Sequence, residues 1–70
     1  MRNLLRIQNK SVNFNESEIF LAIALLGNNL FDFRNVYRED GFFFTSVEDF
    51  QTALNACVSV RDWETLTSAN

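Results

Sequence analysis

The chain has 70 residues, of which 47% are hydrophobic, and nine acidic against six basic residues give a formal net charge of −3. This length predicts one domain over residues 1–70, and one cysteine without any histidine excludes a disulfide framework or a zinc finger within one chain. The longest apolar run, residues 19–26, is far shorter than the roughly 20 residues that cross a bilayer. We therefore expect a soluble, cytoplasmic protein with no membrane segment.

The charges are unevenly distributed along the chain. Arg2, Arg6 and Lys10 give the first ten residues a formal charge of +3, and the other sixty residues carry −6. An acidic body is a poor electrostatic match for nucleic acid and suits a protein partner better. The three basic residues are expected on an edge strand, where they would discourage pairing with other chains.

The first predicted element is a strand over residues 4–8, in which Leu5 and Ile7 lie on one side. A helix that aligns the three basic residues on one face is the alternative.

The second element is a helix that begins at "FNESEI". Asn15 is the expected N-cap, and Glu18, three residues later, completes a capping box. Gly27 is expected to end the helix.

This first helix is apolar on both sides. One side carries Ile19, Ala22, Ile23 and Leu26, and the other carries Phe20, Leu21, Ala24 and Leu25. Such a helix is usually buried all round, but a single-sheet domain has nothing to lay on the outer side. We therefore expect Phe20, Leu21 and Leu25 to form a contact surface.

The stretch "LFDFRNVYRED", residues 30–40, alternates as a strand does. Phe31, Phe33 and Tyr37 would share one face, and Arg34 and Arg38 the other.

Asp40-Gly41 is a hairpin signal, and "FFFT" is the expected return strand. A two-residue Asp40-Gly41 loop would pair Tyr37 with Phe44, send Phe42 and Phe44 into the core and leave Phe43 on the open face. A three-residue loop that also includes Glu39 would move Phe42 and Phe44 to the open face instead. There, beside Arg34 and Arg38, they would form a base-stacking platform. We favour the two-residue loop because it gathers five aromatic side chains into one core.

The second helix is predicted over residues 45–58. Its apolar stripe consists of Val47, Phe50, Ala53, Leu54, Cys57 and Val58, so Cys57 is expected to be a buried hydrophobe. Residues 58–67 are ambiguous between a fourth strand and a helical turn.

This order of elements, β-α-β-β-α with a possible closing β, predicts a small α+β domain. One antiparallel or mixed sheet with two helices on one face is the simplest architecture. It would be ferredoxin-like if the tail is a strand.

No catalytic or metal-binding constellation is visible. Histidine, the usual general base near neutral pH, is absent. The acidic residues lie in first turns of helices, where the helix dipole favours them, or in a turn. We expect no enzymatic activity, no metal and no cofactor.

Residues 41–56, "GFFFTSVEDFQTALNA", slightly resemble the third strand and second helix of an RNA recognition motif, where strand aromatics stack on bases. Asp40 stands where that motif has a basic residue, so we claim no family membership.

The sequence favours a small acidic, non-enzymatic protein-binding module of adaptor or inhibitor type, which associates with itself as a homo-oligomer, with a larger target protein as a second possible partner. The alternative is a single-stranded nucleic-acid-binding domain that uses sheet aromatics with Arg34 and Arg38. The residues expected to bind a partner are Phe20, Leu21, Leu25, Arg34, Arg38 and Phe43.

Overall fold

The computed structural model describes residues 2–27 and 31–68. Over these residues the chain forms strands β1 (Leu4–Ile7), β2 (Lys10–Asn13), β3 (Tyr37–Arg38) and β4 (Gly41–Phe44), helices α1 (Glu16–Leu26) and α2 (Val47–Ser68), and a 3₁₀ helix (Phe33–Val36). The predicted α+β class is confirmed.

The four strands form one mixed sheet in the order β2-β1-β4-β3. The two central strands run parallel, with Leu5 opposite Phe42 and Ile7 opposite Phe44. The outer pairs, β1–β2 and β3–β4, are antiparallel. Because side chains alternate along a strand, these four apolar residues share one face, and they join residues of both helices in one hydrophobic cluster.

β1 confirms the predicted first strand, but the partner strand β2 was not predicted. β2 contains the mostly polar sequence "KSVN", and Gln8 in the connecting turn has a positive φ of 51°. The expectation that the basic N-terminal residues lie on an edge strand is wrong for Arg6. β2 covers one side of β1 and β4 the other, so Arg6 lies on an interior strand.

α1 begins and ends where the sequence indicated. The Asn15 side chain accepts a hydrogen bond from the Glu18 amide at 2.8 Å, and the Glu18 carboxylate accepts one from the Asn15 amide at 2.8 Å. Gly27 has φ 58°, and its amide donates to the carbonyl of Ile23 at 3.0 Å. The predicted capping box is confirmed, and the helix ends at a conformation that glycine adopts readily.

The predicted strand over residues 30–40 is wrong for most of its length. Leu30, its first residue, lies outside the described residues. The Asp32 carboxylate accepts a hydrogen bond from the Arg34 amide at 3.1 Å, and this contact begins the 3₁₀ helix. A short polar side chain that bonds to the backbone two residues later competes with strand pairing. Only Tyr37 and Arg38 remain extended as β3.

The hairpin register differs from both predicted registers. Tyr37 pairs with Phe42 and Arg38 with Gly41, so the loop consists of Glu39 and Asp40. Gly41 therefore lies in the strand, at φ 133°, where an added Cβ would meet the carbonyl oxygen of Leu4 at 2.8 Å. The glycine thus permits β4 to approach β1 closely.

The predicted facing of the phenylalanines is nevertheless confirmed. Phe42 and Phe44 are buried, whereas Phe43 is half-buried on the other face of the sheet. The ring centroids of Phe33 and Phe42 are 5.3 Å apart, those of Tyr37 and Phe42 5.1 Å, and those of Phe31 and Phe44 6.4 Å. The rings of the five aromatic residues expected in the core therefore do cluster, although a 3₁₀ helix supplies Phe33 where a strand was expected. Phe33, Phe42 and Phe44 are buried, but Phe31 is half-buried and Tyr37 is 40% exposed, so the prediction that all five are core residues is wrong for Tyr37.

α2 is longer than predicted, because the ambiguous tail is helical. A closing strand over residues 58–67 is therefore wrong, and a ferredoxin-like topology is not confirmed. The edge of β1 that such a strand would extend is already paired with β2.

The buried stripe of α2 is also rotated relative to the prediction. Phe50, Ala53 and Cys57 are buried as expected, but Val47 and Val58 are exposed. The stripe continues instead through Ala56 and Val60, which lie on the side of α2 that packs against the core.

Candidate interaction surfaces

An open apolar groove of about 500 Å³ lies between α1 and α2. α1 supplies Leu21, Ala24 and Leu25, and α2 supplies Ser59, Val60 and Trp63. The groove exists because α1 uses its other side, with Ile19 and Ala22, to close the core.

The α1 wall of the groove comes from the side that the sequence singled out. Leu21 and Leu25 are exposed and four residues apart, so they are neighbours on the helix surface. Phe20 is also exposed, but it lies about 140° around the helix from Leu25. The predicted exposure is thus confirmed for all three residues, while the groove brings together only Leu21 and Leu25.

The α2 wall was missed, because the tail of the chain was not assigned to a helix. Trp63 is 64% exposed, and Leu66, three residues later on the same side, is 73% exposed. With Leu25, which is 63% exposed, they form a row of large apolar side chains on the outer surface of the helix layer. The spacing of Trp63 and Leu66 was the available sequence signal.

A partly buried ion pair connects the two helices. The Arg61 guanidinium donates to both carboxylate oxygens of Glu18, each at 2.8 Å, and to the carbonyl of Asn13 at 3.1 Å. It also lies 4.4 Å from the ring centroid of Phe14. Arg61 thereby connects α2 to α1 and to the end of β2.

Glu18 is only 3% exposed, yet it is held in its charged form. The hydrogen bonds from Arg61 lower its pKa from 4.5 to about 2, although burial acts in the opposite direction. The sequence indicated Glu18 only as a capping residue, so this second role was not predicted.

The open face of the sheet presents a second candidate surface. The Arg6 guanidinium lies 4.7 Å from the ring centroid of Phe43, and that of Arg38 lies 6.0 Å from it. Arg6 also approaches the Asp40 carboxylate at 3.7 Å. The structure therefore brings together Phe43 and Arg38 of the predicted residues, and adds Arg6.

Arg34 does not join this group. It lies on the 3₁₀ helix, where its guanidinium Nε donates to both oxygens of the Asp32 carboxylate at 2.9 Å. The prediction that Arg34 lines an open strand face beside Arg38 is wrong, because that strand does not form.

Cys57 is fully buried, as expected, and burial raises the pKa of its thiol to about 12. A thiol of this kind is inert at neutral pH. In the part of the chain that the structure describes, no three His, Cys, Asp or Glu side chains come together as a metal site. Neither helix in residues 2–27 and 31–68 has the length and apolar character needed to cross a bilayer.

We compared the chain with protein-family models, with curated proteins and with solved structures. None of the three comparisons found a match. The function is therefore inferred from the surfaces of the molecule.

Proposed function

We propose that this protein is a small, non-enzymatic protein-binding module of adaptor or inhibitor type, and that the α1–α2 groove is its contact surface. The observation that carries the proposal is the row of exposed apolar side chains formed by Leu25, Trp63 and Leu66. A contiguous apolar surface on a soluble protein marks an interaction site. Tryptophan at its centre fits the composition of binding hot spots.

The size of the molecule suits this role. A standard protein–protein interface buries about 800 Å² on each partner. The accessible surface of the chain is 4955 Å², so such a contact would cover about a sixth of it.

Two kinds of partner fit the proposal, namely a second copy of the chain and a different protein. Self-association is tested by light scattering of the pure protein at high micromolar concentration. If copies meet through the groove, Leu25→Glu should shift the protein toward monomer. A monomeric wild type would refute self-association and leave the different protein as the partner.

The contact surface itself is tested by retention of proteins from a native cell extract. Val58→Glu is the matched control, because Val58 is exposed on α2 but lies about 140° around the helix from Trp63. We expect partners to be retained by the wild type and by Val58→Glu and to be lost with Leu25→Glu. Equal retention by all three would show that the groove is not the binding surface.

Single-stranded nucleic-acid binding is the second candidate, and the cation–π group on the open sheet face favours it. An aromatic ring flanked by guanidinium groups is a common platform for stacking bases. The net charge of −3 opposes this function, because phosphate contacts supply most of the affinity. Fluorescence anisotropy with a labelled single-stranded oligonucleotide at low salt tests it, and binding that is insensitive to Phe43→Ala would argue against it.

A further inference from the structure

The two layers of the molecule carry opposite charge. α1 and α2 contain six acidic residues and one basic residue, a formal −5. The rest of the chain contains five basic and three acidic residues, a formal +2. The groove therefore opens on the acidic layer, although the formal net charge of the whole chain is only −3.

The single basic residue of the helix layer, Arg61, interacts chiefly with Glu18 and more weakly with Glu64. Both carboxylate oxygens of Glu18 already bind the guanidinium of Arg61. Asp62 follows Ser59, a lining residue, by three positions and is exposed. Residues three apart are neighbours on a helix, so this carboxylate lies at the rim of the groove.

A second carboxylate, that of Glu64, borders the groove from another side. It accepts a hydrogen bond from the Ser17 hydroxyl at 3.2 Å, and Ser17 lies one turn before Leu21 on α1. Among the described residues, two carboxylates therefore lie next to the apolar walls of the groove.

We propose that the occupant of the groove is a cationic amphipathic helix of a partner protein. Its apolar stripe, at positions i, i+3 or i+4 and i+7, would pack on Leu21, Leu25 and Trp63. Its Lys or Arg side chains would flank that stripe and face Asp62 and Glu64. This inference rests on the proposed function and names the class of its partner.

Charge also argues against a second copy as the occupant. In a two-fold symmetric dimer the same patch lies on both sides of the interface. A groove-to-groove dimer would therefore bring Asp62 and Glu64 of both copies together, and like charges in an interface cost binding free energy. A basic helix instead gains attraction from the same carboxylates.

The test uses two synthetic, amidated peptides of about 18 residues, which span about 27 Å as helices. Both carry leucines along one helical stripe. One has lysines and the other has glutamates at every flanking position. We expect the lysine peptide to bind the full-length protein, measured by fluorescence anisotropy, at least about tenfold more tightly than its glutamate twin. Its affinity should fall as salt is raised, because the screening length shortens from about 8 Å at 0.15 M to about 3 Å at 1 M.

Three variants separate a specific site from general attraction to an acidic protein. Asp62→Lys should weaken binding of the lysine peptide about three- to tenfold. Glu48→Lys, which makes the same charge change about 21 Å away along α2, should leave it unchanged. Leu25→Asn removes apolar contact without changing charge and should abolish binding, whereas general electrostatic attraction would be insensitive to it.

The outcomes that overturn the inference are equal binding of the two peptides, equal effects of Asp62→Lys and Glu48→Lys, and no binding of the lysine peptide at high micromolar concentration. None of them decides the proposed function. That proposal depends on the difference between Leu25→Glu and Val58→Glu in partner retention, so the two failures are distinguishable.

Discussion

Removing the guanidinium of Arg61 should destabilise the protein far more than removal of an ordinary surface charge. Its partner, Glu18, is 3% exposed, so Arg61→Met leaves a carboxylate without its counter-charge in the helix layer. Methionine retains much of the apolar stem, so the lost charge and hydrogen bonds account for the largest part of the effect.

Two independent arguments give the size of the stability loss expected for Arg61→Met. Removal of one partner from a buried ion pair typically costs about 3–5 kcal/mol, and the lower end applies here because the Arg61 side chain is 46% exposed. The pKa of Glu18 falls from 4.5 to about 2, which at about 1.4 kcal/mol per pKa unit corresponds to about 3 kcal/mol for all causes together, and the hydrogen bonds from Arg61 are the largest of these causes. We expect a loss of about 3 kcal/mol in the free energy of unfolding at pH 7.

The pH dependence should be weaker in the variant than in the wild type. In the wild type the pKa of Glu18 is lowered on folding, so its stabilisation is complete above pH 4.5 and is lost as the pH falls toward 2. In Arg61→Met the largest cause of this lowered pKa is absent, while burial still acts in the opposite direction. The variant should therefore lose less stability than the wild type as the pH falls from 7 to about 3.

Urea unfolding at pH 7 and at about pH 3, followed by far-ultraviolet circular dichroism, measures both effects. Glu18→Gln combined with Arg61→Met is the control, because the amide oxygen can still accept the hydrogen bond from Asn15 and no charge is buried. The double variant should be more stable than Arg61→Met alone. If Arg61→Met is unfolded even without urea but the double variant folds, the unpaired carboxylate of Glu18 is again the cause of the instability. A cost below about 1 kcal/mol for Arg61→Met, as for an exposed salt bridge, would refute this account of the pair.

Three further outcomes follow from the packing of the sheet and of α2. Phe42→Ala should cost about 3–5 kcal/mol and prevent folding at room temperature, whereas Phe43→Ala should leave a cooperative thermal melt; the reverse result would show that the facing of β4 is wrong. Gly41→Ala should lower the free energy of unfolding by at least about 2 kcal/mol, because its Cβ would meet backbone at 2.8 Å. Gly27→Ala, where φ is also positive but no atom lies nearer than 3.9 Å, should cost less because only backbone strain opposes it, and equal costs would argue against the close approach of β1 and β4. Cys57 should react with a bulky thiol reagent at pH 7 only after denaturant is added, and rapid labelling of the native protein would contradict its burial.

Features that are encoded within a few residues were predictable from the sequence. The capping box joins Asn15 and Glu18, which are three positions apart, and alternation within "FFF" separates Phe43 from its neighbours. Both patterns depend on local geometry alone, and the structure confirms both.

Features that depend on distant partners were not predictable. β2 is mostly polar and becomes a strand because β1 offers it an edge. Residues 30–40 are an exception, because the contact that ends their alternation is local: the Arg34 amide donates a hydrogen bond to the Asp32 carboxylate, where the alternating pattern predicted a strand. Glu18 and Arg61 are 43 positions apart, and no pattern in a single sequence joins them.

The candidate site was half predictable for the same reason. The apolar outer side of α1 was visible because a helix turns by about 100° per residue. The α2 wall depends on the tail continuing as a helix past Val58, and the sequence of that tail is compatible with either a strand or a helix. Trp63 and Leu66 could therefore be placed on a surface only by the fold.

The parallel pairing of β1 with β4 has a consequence for how the chain reaches its native state. Leu5 lies opposite Phe42, 37 positions later, so the middle of the sheet closes only after a long loop has been brought together. Such non-local contacts raise contact order and slow folding. During synthesis the first hairpin and α1 emerge before β4 exists, and β1 then presents an unpaired edge with Leu5 and Ile7 uncovered. A chain interrupted before Gly41 would therefore expose the two features that most readily drive aggregation, an open strand edge and an apolar face.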